Sequence, residues 1–239
     1  TLIKNKKYLR QAVEYAFDVT REKKIIIEHF WEGTEHSGQF FIRDQAITFS
    51  SFADEYNSEN TPFKIQGAKV SRLLTDEDRT EIFKQVEKIA RYLKLVDGFI
   101  QLQFIRTNSH GLFIIEMTRR LPGDRLPDAF LYSFGYDMYQ HFLTFMLNRL
   151  IPNIVPKNTP QKLVYRHVLE GAVSSDIKNH LENPNIKILD FIDLRSESAR
   201  SKKPYDTRKV KIGIILFEVK NNVELQPELI DKIFFLDSN

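Results

Sequence analysis

The sequence contains no cysteine. That excludes disulfides, thiol catalysis and cysteine-held zinc or iron–sulfur centres, and it accords with a cytoplasmic protein without requiring one. Glycine is scarce, nine of 239 residues, and no Walker A loop or Rossmann fingerprint occurs. A Gly-x-Ser-x-Gly nucleophile elbow is absent as well. Nothing approaches the apolar run of about 18 residues that a membrane-spanning helix needs, and the start shows no signal-peptide pattern. Charge of neither sign dominates: 35 basic residues stand against 32 acidic, a net +3. The basic clusters at Lys4–Lys7, Arg21–Lys24 and Arg200–Lys211 lack the interleaved aromatics of a single-strand platform and read as solvated faces. Neither nucleic acid nor membrane is therefore expected as a partner.

What is abundant is aromatic bulk, with 19 Phe and nine Tyr. A chain of this length and content can bury one large core or two modest ones. Tyr8, Leu9, Ala12, Val13, Ala16 and Phe17 recur at helical spacing and predict an amphipathic helix over 5–19. Ile25-Ile26-Ile27 reads as a buried strand, and further strands are expected from Glu35 and over 46–51, with Arg43-Asp44-Gln45 as the hairpin turn between them. Residues 52–66 are polar and read as a long irregular loop over an active site. Thr75 is a helix N-cap with Asp78 at the capping-box position, and Ile82, Phe83, Val86, Ile89, Ala90 and Leu93 carry that helix to about Leu95. Strands follow at 99–107 and 112–118, then a helix over 137–149. Pro152, Pro156 and Pro160 mark a linker, and beyond it come short strands at 163–169, 186–194 and 210–219, with a short helix near 227–231. The fold class is α+β: an antiparallel sheet with flanking helices over 1–151, then a small, mainly-β domain over 161–239.

The stretch from Gly98 to Gly123 carries the chemistry. If Asn108–Gly111 is a four-residue turn, Thr107 pairs with Leu112, Gln103 with Glu116, and Gln101 with Thr118. Side chains alternate along a strand, so Ile100, Leu102, Phe104, Ile115 and Met117 form a core face. Gln101, Gln103, Glu116 and Thr118 then converge on the other face, where opposed Cβ atoms sit about 5 Å apart. A hard cation such as Mg²⁺ would take these oxygens and bring phosphate oxygens with it. Arg119 and Arg120 lie just beyond, within reach of a transferring phosphoryl group. A polar face that meets water, with Glu116 paired to an arginine, accounts for the pattern equally well.

Glu116-Met-Thr-Arg-Arg-Leu-Pro-Gly123, preceded by the Gln103 strand, resembles the metal-binding hairpin of the ATP-grasp superfamily. Upstream, Ile25-Ile-Ile-Glu-His-Phe-Trp-Glu-Gly-Thr-Glu35 resembles that superfamily's adenine-binding segment, in the expected order and over roughly residues 1–150. The resemblance implies an ATP-dependent carboxylate–amine ligase using ATP and Mg²⁺, with small-molecule carboxylate and amine substrates. It implies that the main chain from Glu28 to Trp31 binds adenine, with His29 offering a carbonyl and Trp31 an amide, and that Glu35 binds the ribose hydroxyls. It further implies Gln103, Glu116 and Thr118 as metal ligands, with Glu116 bridging two ions, and Arg120 at the transferring phosphate or substrate carboxylate. Thr118 stands where Asn is usual, and Gln103 is neutral where many members carry an acid.

The family's Gly-rich loop and phosphate-binding lysines belong to an N-terminal lobe that this sequence does not show, so the chain by itself is expected to bind ATP weakly and to be inactive. The alternative is a non-catalytic binding module on the ATP-grasp fold. The spacing of His29, Glu32 and His36 fits neither a zincin nor a zinc finger. Lys69 and Arg72 read as solvated charge, Gly123-Asp124 as a turn or a substrate loop. Oligomeric state is open, a homo-oligomer included.

Overall fold

The computed structural model describes residues 1–58, 61–107, 111–148, 162–170, 184–194, 211–220, 223–226 and 230. His110, the proline-marked linker, the cluster from Arg200 and most of the expected helix at 227–231 lie outside the described residues. The chain forms two compact units, residues 1–33 and 34–239.

In the first unit a 3-10 turn, Lys6–Tyr8, leads into α1 (Leu9–Val19). The expected helix is there, but none of its residues is buried. The expected Ile25–Ile27 strand is not: Ile26 is 88% and Ile27 66% exposed, in chain without regular structure. β-branched residues favour extended chain only where a neighbouring strand supplies the ladder and the packing, and no described strand flanks this run.

The second unit is built on β1 (Thr34–Arg43), β2 (Ala46–Ser58), β3 (Thr61–Val70), β4 (Gly98–Thr107), β5 (Gly111–Thr118), β6 (Leu163–Glu170), β7 (Ile186–Asp193) and β8 (Lys211–Val219). They form one sheet in the order β5-β4-β1-β2-β3-β6-β8-β7, every pair antiparallel. β6 joins the sheet by pairing with β3, so strands from both sides of the 151–161 segment share it. β1 is buried from His36 to Ile42 without alternation, as expected of a central strand covered on both faces. Asp44 and Gln45, both at positive φ, make the two-residue turn into β2, and Asp97 Oδ1 accepts from the Asp44 amide at 2.9 Å.

One face is covered by α2 (Asp76–Tyr92), whose Ile82, Val86 and Ala90 pack on Phe40, Phe52, Leu102 and Phe104. The capping box of Thr75 and Asp78 forms as expected, and Arg106 Nε adds a bond to Asp78 at 2.7 Å. The opposite face is covered by α3 (Leu126–Phe134) and α4 (Met138–Met146), packed on Phe41, Phe49, Phe99 and Val164. α4 was expected; α3 was not. The region read as a loop over 52–66 is instead most of the β2–β3 hairpin.

Gly67 of β3 shows how closely that hairpin is packed. Tyr56 of β2 lies over it, and the Tyr56 hydroxyl and His167 Nδ1 are 3.0 Å apart. A Cβ at position 67 would overlap the Tyr56 ring. Gly67→Ala is expected to cost about 2 kcal/mol by driving the ring off His167. The measurement is urea unfolding, where the midpoint should fall with little change in slope.

Candidate functional site

Residues paired directly across neighbouring strands share a face, so the strand register lays out the α3/α4 side of the sheet row by row. Phe99, Phe41 and Phe49 form the row beneath the helices. The next row is polar: Thr118, Gln101, Gln39 and Ser51. Then come Glu116, Gln103, Ser37, Ala53 and Val70. Beyond them Glu55 of β2 faces Ala68 of β3, which faces Arg166 of β6. One side of the sheet thus passes from aromatic core to a polar field within about 7 Å per pair of residues along each strand.

The expected pairs Gln103–Glu116 and Gln101–Thr118 are present. Thr107, however, pairs with Gly111 rather than Leu112, and a bulge between the Gln103 and Phe104 pairs makes up the difference. Phe104 therefore faces Ile114, and Ile115, expected in the core, is 47% exposed. A bulge leaves one residue unpaired and re-aims its neighbours. Here it lets Ile114 pack into the core while Glu116 keeps its place opposite Gln103.

Hydrogen bonds connect this field. Ser51 Oγ donates to Gln39 Oε1 at 3.2 Å, and Gln39 Nε2 to Ser37 Oγ at 3.3 Å. Ser37 and Gln103 both hydrogen-bond Glu55, Gln103 Nε2 lying 3.0 Å from Glu55 Oε2. Burial pushes the Glu55 carboxyl up to about 7; those two hydrogen bonds and the Arg166 charge oppose the rise, and Glu35 adds to it. Glu35 accepts from Asn57 Nδ2 at 3.0 Å. Glu55, Ser37 and Arg166 were missed in the sequence. The signal for Glu55 lay in the alternation Ser51, Ala53, Glu55 against Phe52, Asp54, Tyr56, hidden by the reading of 52–66 as a loop.

The other expected site residues fall as follows. Glu28 and His29 are exposed and Trp31 half-buried, all in irregular chain of the first unit, with the His29 and Trp31 rings 4.2 Å apart. Glu116 is exposed and Thr118 half-buried. Arg120 is exposed and donates to the Leu121 carbonyl at 2.9 Å. Arg119 instead donates to the carbonyls of Val96 at 2.6 Å and Asp97 at 3.0 Å, tying the end of β5 to the chain entering β4. Lys69, read as solvated, is 8% exposed and paired with Glu224 at 2.9 Å.

On the opposite face, His36 Nδ1 meets Asp54 Oδ1 at 2.9 Å and His36 Nε2 meets Thr34 Oγ1 at 2.7 Å. The order of hydroxyl, imidazole and carboxylate is that of a hydrolase triad. His36 is completely buried, though, so this chain of bonds is structural.

The polar field suits a hard, oxygen-loving cation. Gln101 Oε1 is buried with no hydrogen-bond partner among the described residues; Thr118 lies across from it, Gln103 and Glu116 form the next pair along the hairpin, and Glu55 bonds Gln103. No group of three His, Cys, Asp or Glu residues that would hold a metal alone occurs among the described residues. Such a set would rely on amide and hydroxyl oxygens and on phosphate oxygens brought by a nucleotide. No helix among the described residues is long and apolar enough to cross a membrane.

No family model matches the sequence, and no curated protein sequence matches it. Solved structures do match. L-amino acid ligase from Bacillus licheniformis aligns over 97% of this chain and 57% of its own, with a TM-score of 0.71 at 16% identity. Phosphoribosylglycinamide synthetase from Anaerococcus prevotii aligns over 96% of this chain and 58% of its own, with a TM-score of 0.64 at 17% identity. N5-carboxyaminoimidazole synthase from Aspergillus clavatus, solved in complex with ADP and 5-aminoimidazole ribonucleotide, aligns over 78% and 47%, with a TM-score of 0.52 at 14% identity. The chain spans about half the length of the solved structures it matches. At these identities the likeness is one of fold, and the chain has the ATP-grasp fold over most of its length.

Proposed function

We propose that this chain is part of an ATP-dependent carboxylate–amine ligase. The observation that carries the proposal is the cross-strand cluster of Gln103, Glu116, Gln101 and Thr118, with the Glu55 carboxylate bonded to Gln103 beside it. Two features of the cluster support nucleotide chemistry over a solvated sheet face. Its glutamine oxygen at position 101 is buried and unsatisfied among the described residues. Glu55, moreover, supplies the carboxylate that Gln103 lacks relative to the family pattern.

In this reading a substrate carboxylate attacks the terminal phosphorus of ATP, releasing ADP and forming an acyl phosphate. An amine then displaces phosphate, losing a proton as the C–N bond forms. Mg²⁺, when bound, neutralises the phosphate charge. Gln103, Glu116 and Thr118 would hold it, Glu116 through its carboxylate and Thr118 through a water. Arg120, exposed at the end of the hairpin, would meet the transferring phosphoryl group; Glu28, His29 and Trp31 would line the adenine and Glu35 the ribose. Such catalysis is mostly positioning and charge stabilisation, which accords with a site rich in hydrogen-bonded amides and poor in acid–base pairs. The nine glycines never cluster, so the phosphate-binding loop is assigned to a separate Gly-rich lobe.

The test is calorimetric titration of ATP, with and without Mg²⁺, into this chain and into a protein in which a Gly-rich lobe accompanies it. Metal-dependent binding is expected only with the lobe, and Glu116→Ala should weaken it by about 10- to 100-fold. Equal metal-dependent binding by wild type and Glu116→Ala overturns the ligand assignment. No nucleotide binding with the lobe present leaves the fold serving as a non-catalytic binding module.

A further inference from the structure

Arg166 is a cation that the chemistry above does not use. It lies on β6, 6% exposed, with its side chain on the same face as Glu55 and the hairpin cluster. Burying a guanidinium is costly unless its donors are met. They are met poorly here: one terminal nitrogen donates to the Gln66 carbonyl at 3.4 Å and the other to Asp124 Oδ2 at 3.5 Å. Both lie at the long limit of a hydrogen bond. Its Nε–H has no hydrogen-bond partner among the described residues. Burial draws the guanidinium pKa down, while Asp124, Tyr56 and Glu55 draw it up.

The sheet explains why Arg166 and Glu55 do not close on each other. They flank Ala68, one strand to either side, which separates their Cα atoms by about 10 Å. Between them Ala68 contributes only a methyl group. Among the described residues no ion pair joins them. Asp124, half-exposed, stands at the solvent side, next to Gly123 where α3 begins.

A planar guanidinium with a free edge selects a planar oxyanion. The charge around it narrows the choice. Among the described residues one cation is flanked by two carboxylates, a balance that repels a phosphate dianion. It suits a molecule that brings its own positive charge next to its carboxylate. We propose that Arg166 anchors the carboxylate of an α-amino acid, whose ammonium group lies against Asp124 and Glu55. This subsite rests on the ligase reading for its purpose, since it would hold an amino-acid substrate beside the cluster at Gln103. Arg166 is then a specificity-determining residue rather than one that touches the reacting phosphoryl group.

The test titrates this chain, without nucleotide or metal, with each L-amino acid, glycine, acetate and inorganic phosphate, followed by ligand-observed NMR. At least one amino acid should bind, more tightly than acetate, and phosphate should bind most weakly. Arg166→Lys should weaken amino acid and acetate alike at least tenfold while the protein stays folded by circular dichroism. Asp124→Asn, at the half-exposed rim, removes the carboxylate that competes for the arginine. Acetate should therefore bind at least threefold more tightly, and the preference for the amino acid over acetate should shrink. Unchanged binding in folded Arg166→Lys, phosphate binding tighter than every amino acid, or no binding of any of these ligands overturns the proposal. Because nucleotide is absent, loss of Mg·ATP binding in the separate titration would sink the ligase reading and leave this subsite standing.

Discussion

Asp54→Ala is expected to lower stability by about 4 kcal/mol, the largest effect of any single substitution proposed for this chain. The carboxylate is 3% exposed and gathers four donors. His36 Nδ1 lies 2.9 Å from Oδ1, and Ser71 Oγ donates to the same oxygen at 2.5 Å. The amides of Arg72 and Leu73 donate to Oδ2 at 2.8 and 3.3 Å. Burial alone would raise the pKa of Asp54, but the bonds from His36, Ser71 and Arg72 outweigh it and hold the carboxyl below its ordinary range. Alanine would strand a buried imidazole, a hydroxyl and two amides together. For a folded unit of this size the loss corresponds to a melting temperature lower by roughly 10 °C.

The pH dependence of Asp54 has a definite sign. A depressed carboxyl pKa means that the stabilisation is present above the unfolded-state value, 3.8, and is lost as pH falls through the folded-state value. Wild type and Asp54→Ala should therefore differ most at neutral pH and converge in strong acid. A difference under 1 kcal/mol at pH 7 would show that the network is not holding the turn at 71–73.

Much of the hairpin was legible in the sequence, and the rest was hidden for identifiable reasons. The pairing of Gln103 with Glu116 was found although the turn was placed one residue out, because the bulge at Ile115 compensates. Nothing in Phe113-Ile114-Ile115 betrays a bulge, since both isoleucines suit a core face. The capping box at Thr75 and the turn at Asp44-Gln45 were legible because each depends on local hydrogen bonding and backbone conformation.

The β2–β3 hairpin was legible only at its start, the strand expected over 46–51, and the cause is the polar groups on both of its faces. Asp54, Glu55, Asn57 and Gln66 place polar groups where a plain strand would carry apolar ones, and their composition reads as a loop. Polar residues that break the expected alternation mark positions where function or a buried network has overridden the pattern. Ile25–Ile27 failed in the opposite sense, since its composition says strand but pairing is a property of neighbours. α3 escaped because Gly123, two residues at positive φ and Pro127 crowd its start.

Glu55→Gln is expected to stabilise the protein at pH 8 and to leave it unchanged at pH 4. Burial raises the carboxyl to about 7 against an ordinary 4.5. The folded state therefore holds a proton that the unfolded state has already released, and stability declines as pH rises between the two values. Above pH 7 the ionised carboxylate costs on the order of 3 kcal/mol, less whatever solvent at its partly exposed edge screens. Glutamine keeps the shape, accepts from Gln103 through its oxygen and removes the charge. Thermal unfolding across pH 4–8 should fall in wild type and run flatter in the variant. Equal slopes would mean that Glu55 is not buried as a charge. On the proposed ligase reading, and with a Gly-rich lobe accompanying the chain, the same substitution should abolish turnover, because the acid retained at a cost to stability is the one that lies between the hairpin cluster and Arg166. A position where removing the charge strengthens the fold but ends the chemistry is the signature of a residue kept for function.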